Sequence, residues 1–270
     1  VKAFTELMAT NHEKEAEPFF PILAAEEPEA HLHPNAQRTL FQQLQDSPGQ
    51  VIISTHSPYL VGMSELENLR GLIRTSNDIN ATQLISGLDP EDINILQREI
   101  MRFRGELLFS KAIILFEGVT EEQIIPSMFS AFFGKSAFSV GVNCISVSGK
   151  NYPPFIKMAL SFGIPVCIVS DNDGNTKAEI ESQLRKIVKN TSLILSEKNL
   201  HVSYLSPKND IEAELIHVVG MRQEIIEALI NTETRGGSNA AYIEAKTREI
   251  VGLTDDELLK KMHSSKASYA

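Results

Sequence analysis

Short apolar runs alternate along the chain with stretches whose apolar residues recur every three or four positions. The clearest run is 112–116, five consecutive apolar residues, a pattern typical of a strand buried on both faces of a sheet. It leads into Glu117 and Gly118, and the following pattern predicts a helix from Glu121 to about residue 133. Open α/β sheets place functional groups at the carboxyl ends of such strands, so this strand end is a candidate site.

The same alternation of strand and helix continues to the helix that opens near residue 210. Regular alternation of this kind predicts an α/β fold with a mostly parallel, Rossmann-like sheet flanked by helices. A run of helical pattern after residue 221 predicts a helical insertion or extension beside the sheet. The predicted strands are 142–147, 165–170 and 202–205, and the predicted helices are 153–161, 176–189, one opening after Asn209, 221–231, 239–251 and 254–262.

The first hundred residues carry a separate set of elements. Strands are predicted at 19–25, 51–54, 69–74 and 82–86, the last two as a possible hairpin, and helices at 35–45 and 91–104. Asp89 precedes the last of these helices as a capping acid. Gly105 follows that helix, so we place the domain boundary there, with one domain at 1–105 and the second at 106–270.

The composition limits the class of protein. A formal net charge of −10 argues against a uniformly basic nucleic-acid binder, although clustered carboxylates lose their repulsion once cations bind. No apolar run approaches the ~18 residues of a membrane helix, and Cys144 and Cys167 lie in apolar runs, as reduced thiols of a cytoplasmic protein would. The chain begins at Val1 within a pattern, so we expect it to be the later part of a longer protein.

Carboxylates follow the predicted strands of the second domain in three places. A parallel sheet brings these strand ends to one edge, where the acids would repel one another unless Mg²⁺ or Mn²⁺ neutralised them. The sequence therefore predicts a divalent-metal site at this edge. The three pairs are Glu117 with Glu121, Asp171 with Asp173, and Asp210 with Glu212.

The first domain carries two further strand-end motifs, E-E-P-E-A-H-L-H-P from Glu26 and S-T-H-S-P around His56. An apolar strand ending in two acids is the Walker B arrangement. Together the motifs resemble the C-terminal half of an ABC-type ATPase head of the SMC/RecF kind. The resemblance implies that Glu26 is the Walker B acid, Glu27 the catalytic glutamate and His56 the switch histidine, with 29–33 facing a partner head.

Two departures from that pattern matter. Glu26 stands where aspartate is usual, and no G-x-x-x-x-G-K-[ST] phosphate loop occurs in the 270 residues. ATP binding is therefore expected only in the full-length protein, with the missing half before Val1. A zinc site at His31 and His33 is the alternative for this stretch, but no second Cys/His cluster supplies the remaining ligands.

The strand-end E-G at Glu117 and the strand-end D-x-D-G at Asp171 resemble the Toprim domain of topoisomerases, primases and several nucleases. With the additional acid of E-G-V-T-E and the preceding ATPase half, the chain resembles the OLD (overcoming lysogenization defect) family of ATPase–Toprim nucleases. The ATPase member of the Gabija anti-phage system shares this layout. The resemblance implies a two-metal DNA endonuclease or nickase, regulated by the ATPase and acting in phage defence.

The resemblance also assigns roles to the acids. It implies that Asp171 and Asp173 hold one ion, with Glu212 or Asp210 as a further ligand. Glu117 and Glu121 would hold the other ion, or act partly through water. Two ions can activate a water and stabilise the leaving oxygen of a phosphodiester.

Further residues complete the expected site. Ser148 and Gly149 end a predicted strand and would contact phosphate or metal. Lys266 matches the late lysine of OLD-like nucleases, which would stabilise transition-state charge. Lys150 and Lys208, each just after a strand, are the alternatives.

Other functions remain open from the sequence. A Toprim topoisomerase would need a strand-attacking tyrosine in another domain, and a bacterial-type primase would want a cysteine-rich zinc module, whereas only two cysteines occur. A defence or repair scaffold with an inert Toprim domain is a third reading, against which the acids at all three strand ends argue. The expected partners are DNA, a second copy in a homodimer or higher oligomer and a possible helicase-like protein, without a membrane.

Overall fold

The computed structural model describes residues 21–264 apart from 48, 75, 86–87, 99–104 and 236–238. The chain divides into two compact units, one of Val1–Leu84 with Leu88–Phe109 and one of Ile85–Gly87 with Ser110–Ala270. In the described part of the chain, no helix combines the length and apolar character needed to cross a membrane.

The first unit contains two small sheets. Strands β1 (Ile22–Glu26) and β2 (Gln50–Ser54) pair in parallel, with Glu26 opposite Ser54, and β3 (Arg70–Arg74) pairs antiparallel with β4 (Ile79–Gln83). The second hairpin strand lies three residues earlier than predicted, because the register pairs Arg74 with Ile79 directly across a short connection. The prediction began at Thr82 and missed the first three residues of the strand, Ile79, Asn80 and Ala81, and residue 86 of the predicted strand lies outside the described residues.

The helices of the first unit are short. They are α1 (Pro34–Gln45), α2 (Pro58–Met63) and α3 (Pro90–Leu96), followed by a 3-10 helix at Gly105–Phe109. Asp89 caps α3 as predicted, since its Oδ1 accepts a hydrogen bond of 2.8 Å from the Asp92 N–H. The α-helix ends at Leu96, earlier than predicted, and residues 99–104 of the predicted helix lie outside the described residues.

The second unit is built on a four-stranded sheet whose strands are all parallel. Its strands are β5 (Ala112–Phe116), β6 (Val142–Ser146), β7 (Val166–Ser170) and β8 (Leu200–Tyr204), in the order β6-β5-β7-β8. The central strand β5 buries Ile113, Leu115 and Phe116, as its unbroken apolar run requires. The predicted α/β fold with a parallel sheet is confirmed.

Four helices follow the strands of this sheet: α4 (Val119–Phe133), α5 (Pro153–Ser161), α6 (Thr176–Asn190) and α7 (Ile211–His217). Helix α4 begins two residues before the predicted start, with Gly118 as its extended N-terminal residue. Each strand-to-helix turn therefore projects toward the carboxyl edge of the sheet, where the predicted acids lie.

Three helices, α8 (Met221–Thr234), α9 (Ala240–Val251) and α10 (Asp255–Ser264), form the predicted helical extension. They share one apolar cluster with α7, in which Leu258 and Met262 of α10 are fully buried. Burying each such side chain contributes about 1.5–3 kcal/mol. This packing fixes α10 beside α7, at the end of the sheet that carries the acids.

Candidate metal centre

The carboxylates that follow β5 and β7 lie side by side, because these strands are neighbours in the sheet. Ser170 Oγ, at the end of β7, donates a hydrogen bond of 3.0 Å to Glu117 Oε1. The Glu117 carbonyl accepts hydrogen bonds of 3.1 Å from Ser146 Oγ and 2.8 Å from the Gly149 N–H. Groups from β6 and β7 thus fix both the backbone and the side chain of Glu117.

Glu121 reaches the same place from the first turn of α4. Its side chain is buried, with 6% of the residue exposed, and it folds back over Gly118. A Cβ at residue 118 would lie 2.9 Å from Glu121 Oε2, so a larger residue there would displace this carboxylate. The glycine of E-G-V-T-E therefore allows both acids of the motif to face one site.

Asp171 lies among the other acids and is the most strongly perturbed of them. Burial, and then the negative charges of Glu121, Glu117, Asp210 and Asp173, raise the pKa of Asp171 to about 7. Its Oδ1 is buried and has no hydrogen-bond partner among the described residues. A buried carboxylate oxygen crowded by like charges fits a divalent cation, which would satisfy the oxygen and neutralise the charges.

Tyr152, which no sequence motif indicated, lies beside these acids. It is fully buried. Burial raises the pKa of the Tyr152 hydroxyl, and the charges of Glu117, Asp171 and Glu121 raise it further, while a hydrogen bond with Ser170 acts in the opposite direction. A second buried polar group thus lies beside the carboxylates.

Asp173, exposed on the turn after β7, is tied to a lysine through a threonine. Thr176 Oγ1 donates a hydrogen bond of 2.7 Å to Asp173 Oδ1, and Lys150 Nζ donates one of 2.6 Å to Thr176 Oγ1. Lys150 Nζ also lies 3.4 Å from Glu179 Oε2. Burial raises the pKa of Glu117, while the Ser170 hydrogen bond and the charge of Lys150 act in the opposite direction.

The three predicted lysines are placed differently. Lys150 lies close enough to Glu117 for its positive charge to lower the pKa of that carboxyl. Lys208 is exposed, with φ of 73°, and its backbone N–H donates a 2.8 Å hydrogen bond to the Asn172 carbonyl. Lys266 lies outside the described residues, so its role stays a prediction.

The third acid pair comes from the start of α7. Asp210 caps this helix, with Oδ1 accepting a 2.9 Å hydrogen bond from the Ala213 N–H. Glu212 is fully buried and accepts a 3.0 Å hydrogen bond from Thr120 Oγ1 on α4. The Asn172 N–H donates to the Asn209 carbonyl at 2.9 Å, which ties the turns after β7 and β8 together. All three predicted pairs therefore meet at one edge.

His263, in the last turn of α10, is a second residue that the sequence reasoning missed. Its Nε2 lies 2.7 Å from Asp210 Oδ2 and 3.9 Å from Glu212 Oε2. One donor atom from each of the three residues lies within 4.8 Å of the others. No local motif marks His263, because more than fifty residues separate it from the acids and only the packing of α10 on α7 brings it there.

Ser148 and Gly149 form the turn after β6 and are exposed. Both have left-handed backbone conformations, with φ of 55° and 100°. The Ser148 N–H donates to Ser146 Oγ at 3.2 Å. The turn lies at the carboxyl edge because β6 neighbours β5, and a phosphate contact there stays a prediction.

In the first unit, Glu26 ends β1, Glu27 follows it, and His56 follows the neighbouring strand β2. His56 Nε2 lies 3.4 Å from Glu27 Oε1, and both side chains are largely exposed. Glu27 has a left-handed backbone, with φ of 40°. The two strand-end motifs thus meet at one edge of the parallel pair, and nucleotide binding there stays a prediction.

The intervening loop is fixed by side-chain hydrogen bonds. Glu29 is buried and accepts a hydrogen bond from Thr55 Oγ1. His33 Nδ1 accepts a hydrogen bond of 3.3 Å from the Asn35 N–H at the start of α1, so this histidine caps a helix. Capping the helix accounts for His33 without a zinc ion.

Two protein-family models match the chain. The model described as "Overcoming lysogenization defect protein-like, TOPRIM domain" matches residues 108–173, and an "AAA ATPase domain" model matches residues 2–61. The first span contains Glu117, Glu121, Asp171 and Asp173, and the second contains both strand ends of the first unit. These matches confirm the resemblance inferred from the motifs.

Individual relatives agree with these matches. The chain is 30% identical over 165 residues to an OLD nuclease of Thermus scotoductus, covering 55% of this chain and 30% of that protein. It is 22% identical over 225 residues to "Endonuclease GajA" of Bacillus cereus, covering 73% of this chain and 32% of that protein. The chain spans about 28% to 32% of the length of the four curated relatives it matches.

Among solved structures, the C-terminal region of the Xanthomonas campestris pv. campestris OLD protein aligns with a TM-score of 0.41 at 20% identity. The alignment covers 58% of this chain and 80% of that one.

Proposed function

We propose that this chain, in which an OLD-like TOPRIM domain follows part of an AAA ATPase domain, cuts DNA as a metal-dependent endonuclease or nickase. The observation that carries the proposal is the buried, unpartnered Oδ1 of Asp171 among the carboxylates of Glu117, Glu121 and Asp210. Asp171 and the four carboxylates that raise its pKa, those of Glu121, Glu117, Asp210 and Asp173, destabilise a metal-free fold, which favours a role for them in binding cations. The names of the two relatives, an OLD nuclease and an endonuclease, support DNA as the substrate.

The acids divide into two ligand groups in this proposal. Asp171 and Asp173 hold one Mg²⁺ or Mn²⁺, with Asp210 or Glu212 as a further ligand. Glu117 and Glu121 hold a second ion. A pair of such ions, when bound, activates a water and stabilises the leaving oxygen of the phosphodiester.

Neighbouring side chains orient the ligands. Ser170 holds one oxygen of Glu117, which leaves the other oxygen to face a cation. Thr176 Oγ1 likewise donates a hydrogen bond to one oxygen of Asp173, and it accepts a hydrogen bond from Lys150 Nζ. Lys150 therefore supplies a positive charge next to the acids, and Lys266 is the second lysine proposed for this role.

The turn at Ser148 and Gly149 is proposed to contact the scissile strand. Its exposed backbone lies beside Glu117, to whose carbonyl the Gly149 N–H is already bound. The N–H groups of Ser148 and Gly149 already donate to Ser146 Oγ and the Glu117 carbonyl, so the exposed Ser148 side chain is the group proposed to contact an anion. A DNA phosphate is the anion that a nuclease site would place there.

The first unit is proposed to act as the regulatory part. Glu26, Glu27 and His56 would act on a bound ATP as the Walker B acid, the catalytic glutamate and the switch histidine. The 270 residues contain no G-x-x-x-x-G-K-[ST] phosphate loop, so ATP binding is proposed only for the full-length protein. Pairing of two ATPase heads would make the assembly a homodimer or a higher oligomer, and a helicase-like protein is a proposed partner. The two cysteines are free thiols, in keeping with a cytoplasmic protein.

Plasmid cleavage tests this proposal. Supercoiled plasmid is incubated with the 270-residue chain in Mg²⁺, Mn²⁺ or EDTA, and the products are separated on an agarose gel. The proposal predicts open-circular or linear DNA with the metals and none with EDTA. Cleavage that persists in EDTA would contradict it.

A further inference from the structure

We propose that His263 is a nitrogen ligand of the cation held by Asp210 and Glu212, and that this part of the metal centre therefore prefers Mn²⁺ to Mg²⁺. The inference rests on the proposed function, since it takes the strand-end acids as cation ligands. It adds a residue from outside the sheet and a preference between the two candidate ions.

The geometry of the three donors fits one ion. Transition ions hold nitrogen and oxygen ligands at roughly 2.0–2.2 Å, so two donors on one ion lie roughly 3 to 4 Å apart. His263 Nε2 lies 2.7 Å from Asp210 Oδ2 and 3.9 Å from Glu212 Oε2, and all three atoms lie within 4.8 Å of one another. The His263 side chain is exposed, so its ring can rotate toward a cation placed between the two carboxylates.

The donors are held by packed structure. Asp210 caps α7 and Glu212 is fully buried beside Thr120. Met262, next to His263, is fully buried in the apolar cluster that joins α10 to α7. The far end of α10 is held by Asp255, whose Oδ1 accepts a 2.8 Å hydrogen bond from Arg222 Nε. The imidazole is therefore presented to the acids by a fixed helix.

A simpler reading is that His263 donates Nε2–H to Asp210 and only joins α10 to α7. That reading uses one carboxylate, whereas the fully buried Glu212, which accepts a hydrogen bond from Thr120 Oγ1, also lies with Oε2 3.9 Å from the same nitrogen. Two carboxylates beside one imidazole nitrogen are a ligand set in which a cation offsets the cost of burying Glu212. The ligand reading requires the tautomer with the proton on Nδ1, which leaves the Nε2 lone pair for the ion.

A nitrogen ligand from His263 would make the site prefer Mn²⁺ to Mg²⁺. Mg²⁺ takes oxygen ligands and keeps several waters, whereas imidazole suits transition metals. Removing the imidazole should therefore weaken Mn²⁺ binding and leave Mg²⁺ binding almost unchanged. A residue that only joined two helices would change both affinities together.

Metal titrations of the 270-residue chain test the inference. Mn²⁺ binding is followed by the electron paramagnetic resonance signal of the free ion, and Mg²⁺ binding by its competition with Mn²⁺, for the wild type, His263→Gln and His217→Gln. His217 is a matched control, because its Nδ1 contacts the Ala213 carbonyl on α7 and it is not one of the three donors. The expected result is a loss of at least about tenfold in Mn²⁺ affinity for His263→Gln alone, with Mg²⁺ affinity within about twofold of wild type.

Pulsed electron paramagnetic resonance of bound Mn²⁺, in the wild type and in His263→Gln, gives a second readout. Protein labelled with ¹⁵N-histidine should change the nitrogen coupling of bound Mn²⁺. Three results would overturn the inference but not the carboxylate metal site. They are Mn²⁺ binding without nitrogen coupling, a nitrogen coupling that persists in His263→Gln, and an equal loss of Mn²⁺ and Mg²⁺ affinity in His263→Gln. A wild type that binds neither ion would overturn the inference and the proposed function together.

Discussion

Ser170 Oγ donates a 3.0 Å hydrogen bond to Glu117 Oε1, so a side chain from β7 holds the carboxylate that follows β5. Ser170 is almost completely buried, with 1% of the residue exposed. Burial raises the pKa of Glu117 and this hydrogen bond lowers it, so Ser170 favours the ionised carboxylate that a cation needs. The two central strands of the sheet are thus coupled at the proposed metal centre.

Replacing Ser170 tests this coupling. Ser170→Ala removes the hydrogen bond and raises the pKa of Glu117 further, so the affinity for Mn²⁺ at pH 7 should fall by roughly three- to thirtyfold. Calorimetric titration measures the change, with the exposed Ser203→Ala on β8 as the matched control. An unchanged affinity in Ser170→Ala would show that Glu117 is not a ligand.

Cation binding should depend on pH near neutrality. The pKa of Asp171 is about 7 in the metal-free protein, so below that value a proton occupies the group that a cation needs. Affinity should rise as the pH passes from 6 to 8 and then level off, and binding should release more protons at pH 6 than at pH 8. Calorimetry in two buffers of different ionisation enthalpy counts the protons, and equal release at both pH values would contradict the prediction.

The same carboxyl should destabilise the metal-free fold at high pH. Its folded-state pKa of about 7 lies above the ordinary value of about 3.9, so the folded protein binds the extra proton between these values. Stability from this group is therefore full below pH 4 and is lost as the pH rises through 7.

Asp171→Asn should accordingly raise the melting temperature of the metal-free protein at pH 8 by about 2–6 °C, because asparagine cannot ionise. At pH 5 the difference from wild type should be small. Differential scanning calorimetry measures both, with the exposed Asp256→Asn as a control of the same chemistry. A lower melting temperature for Asp171→Asn at pH 8 would mean that the carboxylate stabilises the fold.

Lysine substitutions distinguish the proposed sources of positive charge. Lys150→Met should slow plasmid cleavage by about ten- to a hundredfold, because the lysine's charge lies near Glu117 and reaches Asp173 through Thr176. The exposed Lys208→Met should cleave at the wild-type rate, and Lys266→Met tests the lysine that the family resemblance implies. Equal rates for Lys150→Met and wild type would assign Lys150 a structural role.

Most of the sheet and the acids at its edge followed from the sequence. The unbroken apolar run 112–116 indicated a buried strand, and the acids after β5, β7 and β8 came together because parallel strands place those ends at one edge. Glu117 lies beside Ser170, and Asp171 beside Asp210, because of the order of the strands in the sheet. No local sequence pattern specifies that order.

The residues that the sequence did not reveal lie on elements brought in by packing. His263 reaches Asp210 because Leu258 and Met262 bury α10 against α7, a contact between segments about fifty residues apart. Tyr152 lies outside every motif of the sequence, and its hydroxyl gains significance only from the acids around it. The start of β4 was wrong because a two-stranded ribbon depends on its partner's register more than on its own composition.

The most direct test of the central claim is the rate at which Asp171→Asn cleaves supercoiled plasmid under single-turnover conditions in Mn²⁺. The proposed metal centre predicts a rate at least about a hundredfold below wild type, with Asp256→Asn unchanged and both variants folded. Cleavage by Asp171→Asn at the wild-type rate would contradict the assignment of this sheet edge as the nuclease site.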